Sequence, residues 1–233
     1  MSTARARKAV KRFALNAAGR DFAVGDIHGH FSRLEEALSV VGFDVRCDRL
    51  FSVGDLVDRG PESLVAIEYL KKPWFHAVRG NHDDYAVRYR TCNMENWFSI
   101  GGDWFAGVSE EDRATVSEAL ASLPFAIEVE TPNGLVGIVH ADCPFSSWSG
   151  LIESLESPES ASAFRRTSNS LMFSRERFRT SNSDLVEGVS AVVCGHSTVP
   201  SPLVLGNVFH IDTGGWTEGG RFTVLELGSL ACG

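Results

Sequence analysis

Five short apolar runs in this chain stop at the same kind of punctuation, and that recurrence limits the fold more than any other feature. Phe22-Ala23-Val24 runs into Gly25-Asp26, and Leu50-Phe51-Ser52-Val53 runs into Gly54-Asp55. Trp74-Phe75-His76-Ala77-Val78 leads to Arg79-Gly80-Asn81-His82. Leu135-Val136-Gly137-Ile138-Val139 ends at His140, and Ala191-Val192-Val193-Cys194-Gly195 ends at His196. Short β-prone runs bounded by glycine are strand signals. Each expected strand therefore delivers an Asp, Asn or His at its C-terminal end.

Helices are expected in the first gaps. Phe31, Leu34, Leu38 and Val41 recur at helical spacing, and Gly42 supplies a C-terminal stop. Pro61 suits a first helical turn, Leu64, Ile67 and Leu70 form an apolar stripe, and Pro73 ends it after Lys71 and Lys72. Strand–helix–strand–helix–strand at this spacing reads as two right-handed βαβ units in a largely parallel sheet. Ligands gather outside the carboxyl ends of such strands, where the Asp, Asn and His residues fall. Further on, Ser109 and Asp112 suggest a capping box before a helix to Leu123, closed by Pro124. Thr131-Pro132-Asn133-Gly134 is a turn between strands over 125–130 and 135–139. Residues 146–183 are serine-rich and poorly periodic, which suggests a surface segment with at most short helices. Two or three antiparallel strands are expected from Pro202 to Leu227, around Asp212-Thr213-Gly214-Gly215.

Length and charge exclude several classes. At 233 residues the chain suits one α/β domain, taken as 9–233 behind a basic tail over 1–8. The first 20 residues hold six basic side chains and no acid, which leaves residues 21–233 at −14, with 16 basic against 30 acidic. A body that acidic repels polynucleotide phosphate, so general nucleic-acid binding is disfavoured. No apolar run approaches the ~20 residues of a membrane span, and no secretory leader is visible. The five cysteines are odd in number, far apart and never CxxC, which suits a reducing, cytoplasmic setting.

Of seven histidines, four (His28, His82, His140, His196) lie at the strand ends. The blocks are Gly25-Asp26-Ile27-His28-Gly29, Gly54-Asp55-Leu56-Val57-Asp58-Arg59-Gly60, Gly80-Asn81-His82-Asp83, His140-Ala141-Asp142 and Gly195-His196. Together they resemble the PPP-type metallophosphoesterases, most closely the small bacterial and phage protein phosphatases of the lambda type. The resemblance runs from about residue 20 to the end, and includes Pro73-Trp74-Phe75, Gly101-Gly102-Asp103-Trp104-Phe105, Ser174-Arg175-Glu176-Arg177 and Ile211-Asp212-Thr213-Gly214.

That resemblance implies an αββα fold, a β-sandwich flanked by helices around a βαβαβ metal-binding core. It implies two divalent ions, manganese first, bridged by Asp55. Asp26 and His28 would complete the protein ligands of one; Asn81, His140 and His196 would complete those of the other. Such ligands without thiolate suit Mn²⁺, Fe²⁺ or Zn²⁺, and residue types alone do not choose among them. Two metals bind a phosphate and a hydroxide together, which lets an anion be attacked by a nucleophile. By the same match His82 is the general acid, Asp58 fixes its tautomer, and Arg59, Arg175 and Asn81 grip the phosphate. The implied activity is a metal-dependent phosphomonoesterase, a serine/threonine protein phosphatase with phosphotyrosine as a further substrate, acting on phosphorylated protein or on small phosphoesters.

Blander readings exist for each residue. Strand-end turns and helix caps use Asp and Asn, but they do not demand histidine at three strand ends. Asp58 with Arg59 could be a surface ion pair, and Arg175 could belong to a solvated charged face with Arg165, Arg166, Arg177 and Arg179. His30, His76 and His210 read as structural or surface groups, Cys143 and Cys194 as buried small hydrophobes, and Trp97, Phe98, Trp104 and Phe105 as core. Two rival functions remain. Symmetrical dinucleoside polyphosphate hydrolases share the metal blocks, but typical members carry Ala at the position of Asp58 and are longer. A non-catalytic, metal-stabilised interaction module would be expected to have lost ligands or the acid, and this chain keeps them all.

Overall fold

A computed structural model describes residues 9–232. The basic tail assigned to residues 1–8 lies outside the described residues. Two sheets stack face to face. One carries β2 (Asp21–Val24), β3 (Arg49–Ser52) and β4 (Phe75–Ala77) in parallel, extended by the antiparallel β10 (Val224–Glu226) and β11 (Ala231–Cys232). The other orders β1 (Val10–Phe13), β5 (Ala126–Thr131), β6 (Gly134–Ile138), β7 (Ala191–Cys194), β9 (Val208–His210) and β8 (Leu203–Leu205). The expected strands are all present. The C-terminal group, however, divides: β8 and β9 form a hairpin in one sheet, while β10 joins the other.

Alternation along each strand builds three apolar layers. Phe22 and Val24 of β2 face helices, while Ala23 faces the opposite sheet. Ala191 and Val193 of β7 face that same interior, and Val192 and Cys194 face helices on the far side. A side-chain period of two, with both faces buried, explains why these strands read as continuous apolar runs. Outside the first sheet pack α1 (Phe31–Val40), α2 (Val65–Leu70), α3 (Asn81–Val87), α4 (Met94–Trp97) and α5 (Glu110–Ala121). Outside the second pack α6 (Trp148–Glu156) and α7 (Ala161–Phe173), followed by the short α8 (Glu176–Thr180).

Three sequence expectations need revision. The buried side chains of α2 are Ala66 and Tyr69, with Ile67 and Leu70 half-buried against the core as expected, while Leu64 is exposed just ahead of the helix, which begins one turn after Pro61. The pairing of Ser109 and Asp112 is half a capping box: the Ser109 hydroxyl accepts the Asp112 N–H, and the Asp112 carboxylate takes the Ser109 hydroxyl proton. Residues 146–183 hold a helical pair rather than loose surface. Ser147 and Ser160 are N-caps whose hydroxyls accept from Gly150 and Ala163, so these serines start helices. Trp148, Leu151, Leu155, Leu171 and Met172 are the buried stripe.

The indole of Trp148 lies on the outer face of β6 at Gly137, where an added Cβ would overlap the six-membered ring, and its Nε1–H donates to Glu128 Oε1 at 2.8 Å. Gly137→Ala is expected to destabilise the protein by about 1–3 kcal/mol through overpacking. Calorimetric unfolding would show it as a lowered Tm.

Candidate metal centre

Register brings the strand ends together. Val24 pairs with Ser52 and Ser52 with Ala77, while Ile138 pairs with Val193 and Cys194 with His210. The residues that follow emerge at one edge of the sandwich, and polar contacts tie the sheets there. Asp26 accepts the His196 N–H at 3.0 and 3.2 Å, and the His140 Nδ1–H donates to the Val53 carbonyl at 2.8 Å. Gly195 must be glycine for this: a Cβ would overlap the Asp26 carboxylate, as one at Gly80 would overlap Asp55.

Asp55 sits at the centre. Its Oδ2 is 3.6 Å from His28 Nε2 and 3.4 Å from His140 Nε2. His28, Asp55 and His82 form one group of possible ligand atoms, and Asp55, His140 and His196 form another, each within 4.8 Å. Asp26 Oδ2 is 4.0 Å from His28 Nε2, and Asn81 Oδ1 is 2.9 Å from His140 Nε2. Both His28 and His140 turn Nδ1 onto a backbone carbonyl, of Val57 and Val53, so Nε2 faces inward. His28 Nε2 is buried and has no hydrogen-bond partner among the described residues. An orphaned inward nitrogen beside two carboxylates is what a divalent cation would satisfy, so this donor set fits one.

The electrostatics agree. Burial, with the Asp212 charge, pushes the Asp26 carboxyl well above its ordinary range. Burial pushes His28 well below its own. Burial would raise Asp55, but His140, His82 and His28 hold it well below the usual value. His140 would be depressed by burial, yet Asp55 and then Asp26 draw it up to about 9. His196 is pushed down to about 3 by burial and by the neighbouring His140 charge, with Arg175 contributing. A proton on His140 thus balances carboxylates that a dication would balance instead, and binding a cation at Nε2 must release it.

His82 differs from its neighbours. Its Nδ1 is 2.7 Å from Asp58 Oδ2, and Arg59 Nη2 donates to its Nε2 at 3.1 Å. Both ring nitrogens are engaged, and a guanidinium faces the outward one. Asp58 is fully buried and pairs with His82, which removes the surface ion-pair reading. Arg59 is exposed, with its guanidinium 4.1 Å from the Trp216 ring centroid. Arg175 is also exposed, close enough to act on His196. Arg177 is the buried one, bonded to the Asn182 and Asp184 carbonyls and paired with Asp142 at 3.5 Å. His30 is turned onto the His28 carbonyl, His76 lies against Phe13 and Phe51, and His210 meets Cys194.

Sequence reasoning left four contributors unassigned or assigned only to core. Trp97 and Trp104 donate to Asp58, Trp216 lies under Arg59, and Asp83 accepts the N–H groups of Asp55, Leu56 and Gly80 at 2.9–3.0 Å. Burial, then the Asp55 charge, raises the Asp83 carboxyl to about 7 despite those bonds. Its place beside Asn81 and His82 was the one available signal.

Residues 22–200 match the calcineurin-like phosphoesterase family. The chain belongs to that family. It is 34% identical over 213 residues to serine/threonine-protein phosphatase 1 of Salmonella typhimurium, covering 88% of this chain and 91% of that protein. A symmetrical bis(5'-nucleosyl)-tetraphosphatase of Aromatoleum aromaticum is 44% identical, but over 69 residues, 29% of this chain and 25% of that one. A solved structure named as a candidate diadenosine tetraphosphatase superposes with a TM-score of 0.63 over 97% of this chain and 96% of its own, at 22% identity, which speaks for the fold. This calcineurin-like phosphoesterase is a metallophosphatase, and its family works with divalent metal ions. No helix of the described residues is long and apolar enough to cross a membrane.

Asp83→Asn would turn an NH₂ group toward one or more of the three backbone N–H donors that hold the Asp55 turn. Isothermal titration of metal-stripped protein with Mn²⁺ is expected to show affinity reduced about 10–100-fold, the usual cost of losing a group that orients a ligand.

Proposed function

We propose that this chain hydrolyses phosphoserine and phosphothreonine in proteins, and phosphotyrosine as well, from a cytoplasmic location. The observation that carries this reading is the 2.7 Å contact between His82 and the buried Asp58. The near full-length likeness to a serine/threonine-protein phosphatase supports it, and five free cysteines suit the cytoplasmic location. Asp26, His28 and Asp55 would hold one metal ion, and Asp55, Asn81, His140 and His196 the other. Manganese is our choice, with Fe²⁺ and Zn²⁺ suited to the same oxygen and nitrogen donors. Two divalent ions bound there supply Lewis acidity toward the phosphoryl oxygens and lower the pKa of water.

The rest belongs to the protein. Asp58 takes the Nδ1–H of His82, which fixes the tautomer and leaves Nε2 to face the substrate. Arg59 now donates to that Nε2. An arriving phosphate competes for the guanidinium, whose planar fork suits two phosphate oxygens, with Arg175 and Asn81 adding donors. As Arg59 moves to the phosphate, Nε2 is freed to take up a proton from solvent, and the resulting imidazolium, its Nδ1–H held by Asp58, gives that proton to the leaving oxygen and returns to the neutral ring. A serine or threonine alkoxide needs that proton badly, whereas a nucleotide phosphate departs readily without one. The dyad therefore favours phosphomonoesters over the symmetrical dinucleoside polyphosphates that the partial relatives cleave by name.

Purified protein loaded with Mn²⁺ should be assayed side by side on an aryl phosphate, a phosphoserine peptide and diadenosine tetraphosphate. Turnover of the first two is expected to exceed that of the third. His82→Asn is expected to lower kcat on the phosphopeptide about 10²–10⁴-fold, and Asp26→Asn or Asp55→Asn to lower it by orders of magnitude. Near-full activity of His82→Asn would remove the acid from the mechanism, and preference for the dinucleotide would reverse the substrate assignment.

A further inference from the structure

The stretch from Trp97 to Phe105 carries the Gly101-Gly102-Asp103-Trp104-Phe105 block, which metal binding leaves without a role. Its side chains converge on Asp58. The Trp97 Nε1–H donates to Asp58 Oδ2 at 2.6 Å, and the Trp104 Nε1–H donates to Oδ1 at 2.7 Å. With His82 Nδ1 also on Oδ2, both oxygens of a fully buried carboxylate are held by three N–H groups. No lysine or arginine among the described residues forms an ion pair with it.

The two glycines make room for this arrangement. A Cβ on Gly102 would overlap the Trp97 indole, and one on Gly101 would come within 2.6 Å of Arg59 Cγ. The Gly101 carbonyl accepts the Arg59 N–H at 2.8 Å, next to Asp58 at φ 75° and Arg59 at φ 67°. Tyr85 stacks on Trp97 with the planes 10° apart, and Phe105 packs on it with ring centroids 4.9 Å apart. The indole is therefore fixed from several sides.

The choice of donor matters. An arginine would satisfy the carboxylate, but its positive charge would cancel much of the field that Asp58 exerts on His82. An indole N–H is a neutral, rigid donor, so it satisfies a buried anion without neutralising it. We infer that Trp97 and Trp104 are positioning residues for His82: by fixing both oxygens of Asp58 they set the tautomer and the aim of the imidazole toward the leaving oxygen. This inference rests on the general-acid reading of His82.

If so, the indoles matter in proportion to how badly the leaving group needs a proton. Mn²⁺-loaded wild type, Trp97→Phe, Trp104→Phe and His82→Asn should be compared on phenyl phosphate and 2,4-dinitrophenyl phosphate, whose leaving groups need a proton strongly and hardly at all. Trp104→Phe is expected to lose about tenfold in kcat on phenyl phosphate and less than about twofold on the dinitrophenyl ester, with KM unchanged. Trp97→Phe should separate the substrates in the same direction. Loss of folded protein lowers both rates alike, so the ratio reads positioning and not stability. Should Trp97→Phe fail to fold, the half-buried Trp104 site carries the test. If His82→Asn separates the two substrates and the tryptophan variants do not, the inference is overturned while the acid assignment stands. If His82→Asn lowers both equally, the acid assignment itself falls, and the inference with it.

Discussion

One buried carboxylate organises this molecule. Asp55 lies between His28, delivered beside the first sheet, and His140, delivered by the second, at 3.6 and 3.4 Å. A buried anion is costly unless charge or hydrogen bonds surround it. Here that requirement draws in the loops that carry His28, His82 and His140. Asp55 accepts the His82 N–H at 2.9 Å and thereby positions the start of α3, so the carboxylate at the centre of the candidate metal site also places the residue proposed to donate a proton. The second sheet joins through His140, whose other nitrogen is anchored on the Val53 carbonyl of the first. Neither sheet alone assembles the site.

Backbone strain marks the same residues. Among the described residues, seven non-glycine residues have φ between 46° and 75°, and five of them, His28, Asp55, Asp58, Arg59 and His196, lie at the site, Ser181 and Leu230 being the other two. The left-handed region is unfavourable for branched or bulky side chains, and such residues persist where surrounding contacts over-determine them. Those contacts are visible. Asp83 holds the turn at Asp55, the Ser63 hydroxyl accepts the Asp58 N–H at 3.0 Å, the Gly101 carbonyl takes the Arg59 N–H, and Asp26 takes the His196 N–H. The glycines beside them serve close approach rather than chain flexibility, which explains why Gly and Asp or Asn stand together at these strand ends.

That pairing is also why the core of the site was legible from sequence. A strand, its terminal glycine and the residue after it are covalent neighbours, so the convergence of Asp26, Asp55, Asn81, His140 and His196 follows once the strands are parallel and in register. What escaped depends on partners far along the chain. Nothing local tells that the Trp97 and Trp104 indoles reach a carboxylate 39 and 46 residues away, or that Trp216 lies beneath Arg59. The serine-rich segment misled for a related reason: serine disfavours helix interiors but favours their starts, and Ser147 and Ser160 act as caps. Arg177 and Arg175 have the same side chain two residues apart, yet one is buried against Asp142 and the other is exposed near His196, a distinction that only packing makes.

Because the site spans both sheets, metal affinity and the stability of the sandwich belong to one equilibrium. Asp26 and His196 meet across 170 residues of sequence, and Val53 and His140 across 87. Contacts of that separation carry a large loop-closure entropy, which the packing of the sheets must offset. A cation that binds the assembled site and not the open chain stabilises the packed state by mass action, and it does so where carboxylates otherwise repel one another. The apolar layers set the register of the strands and bring the acids together. The charge they concentrate there opposes closure until a proton on His140, or a cation in its place, balances it.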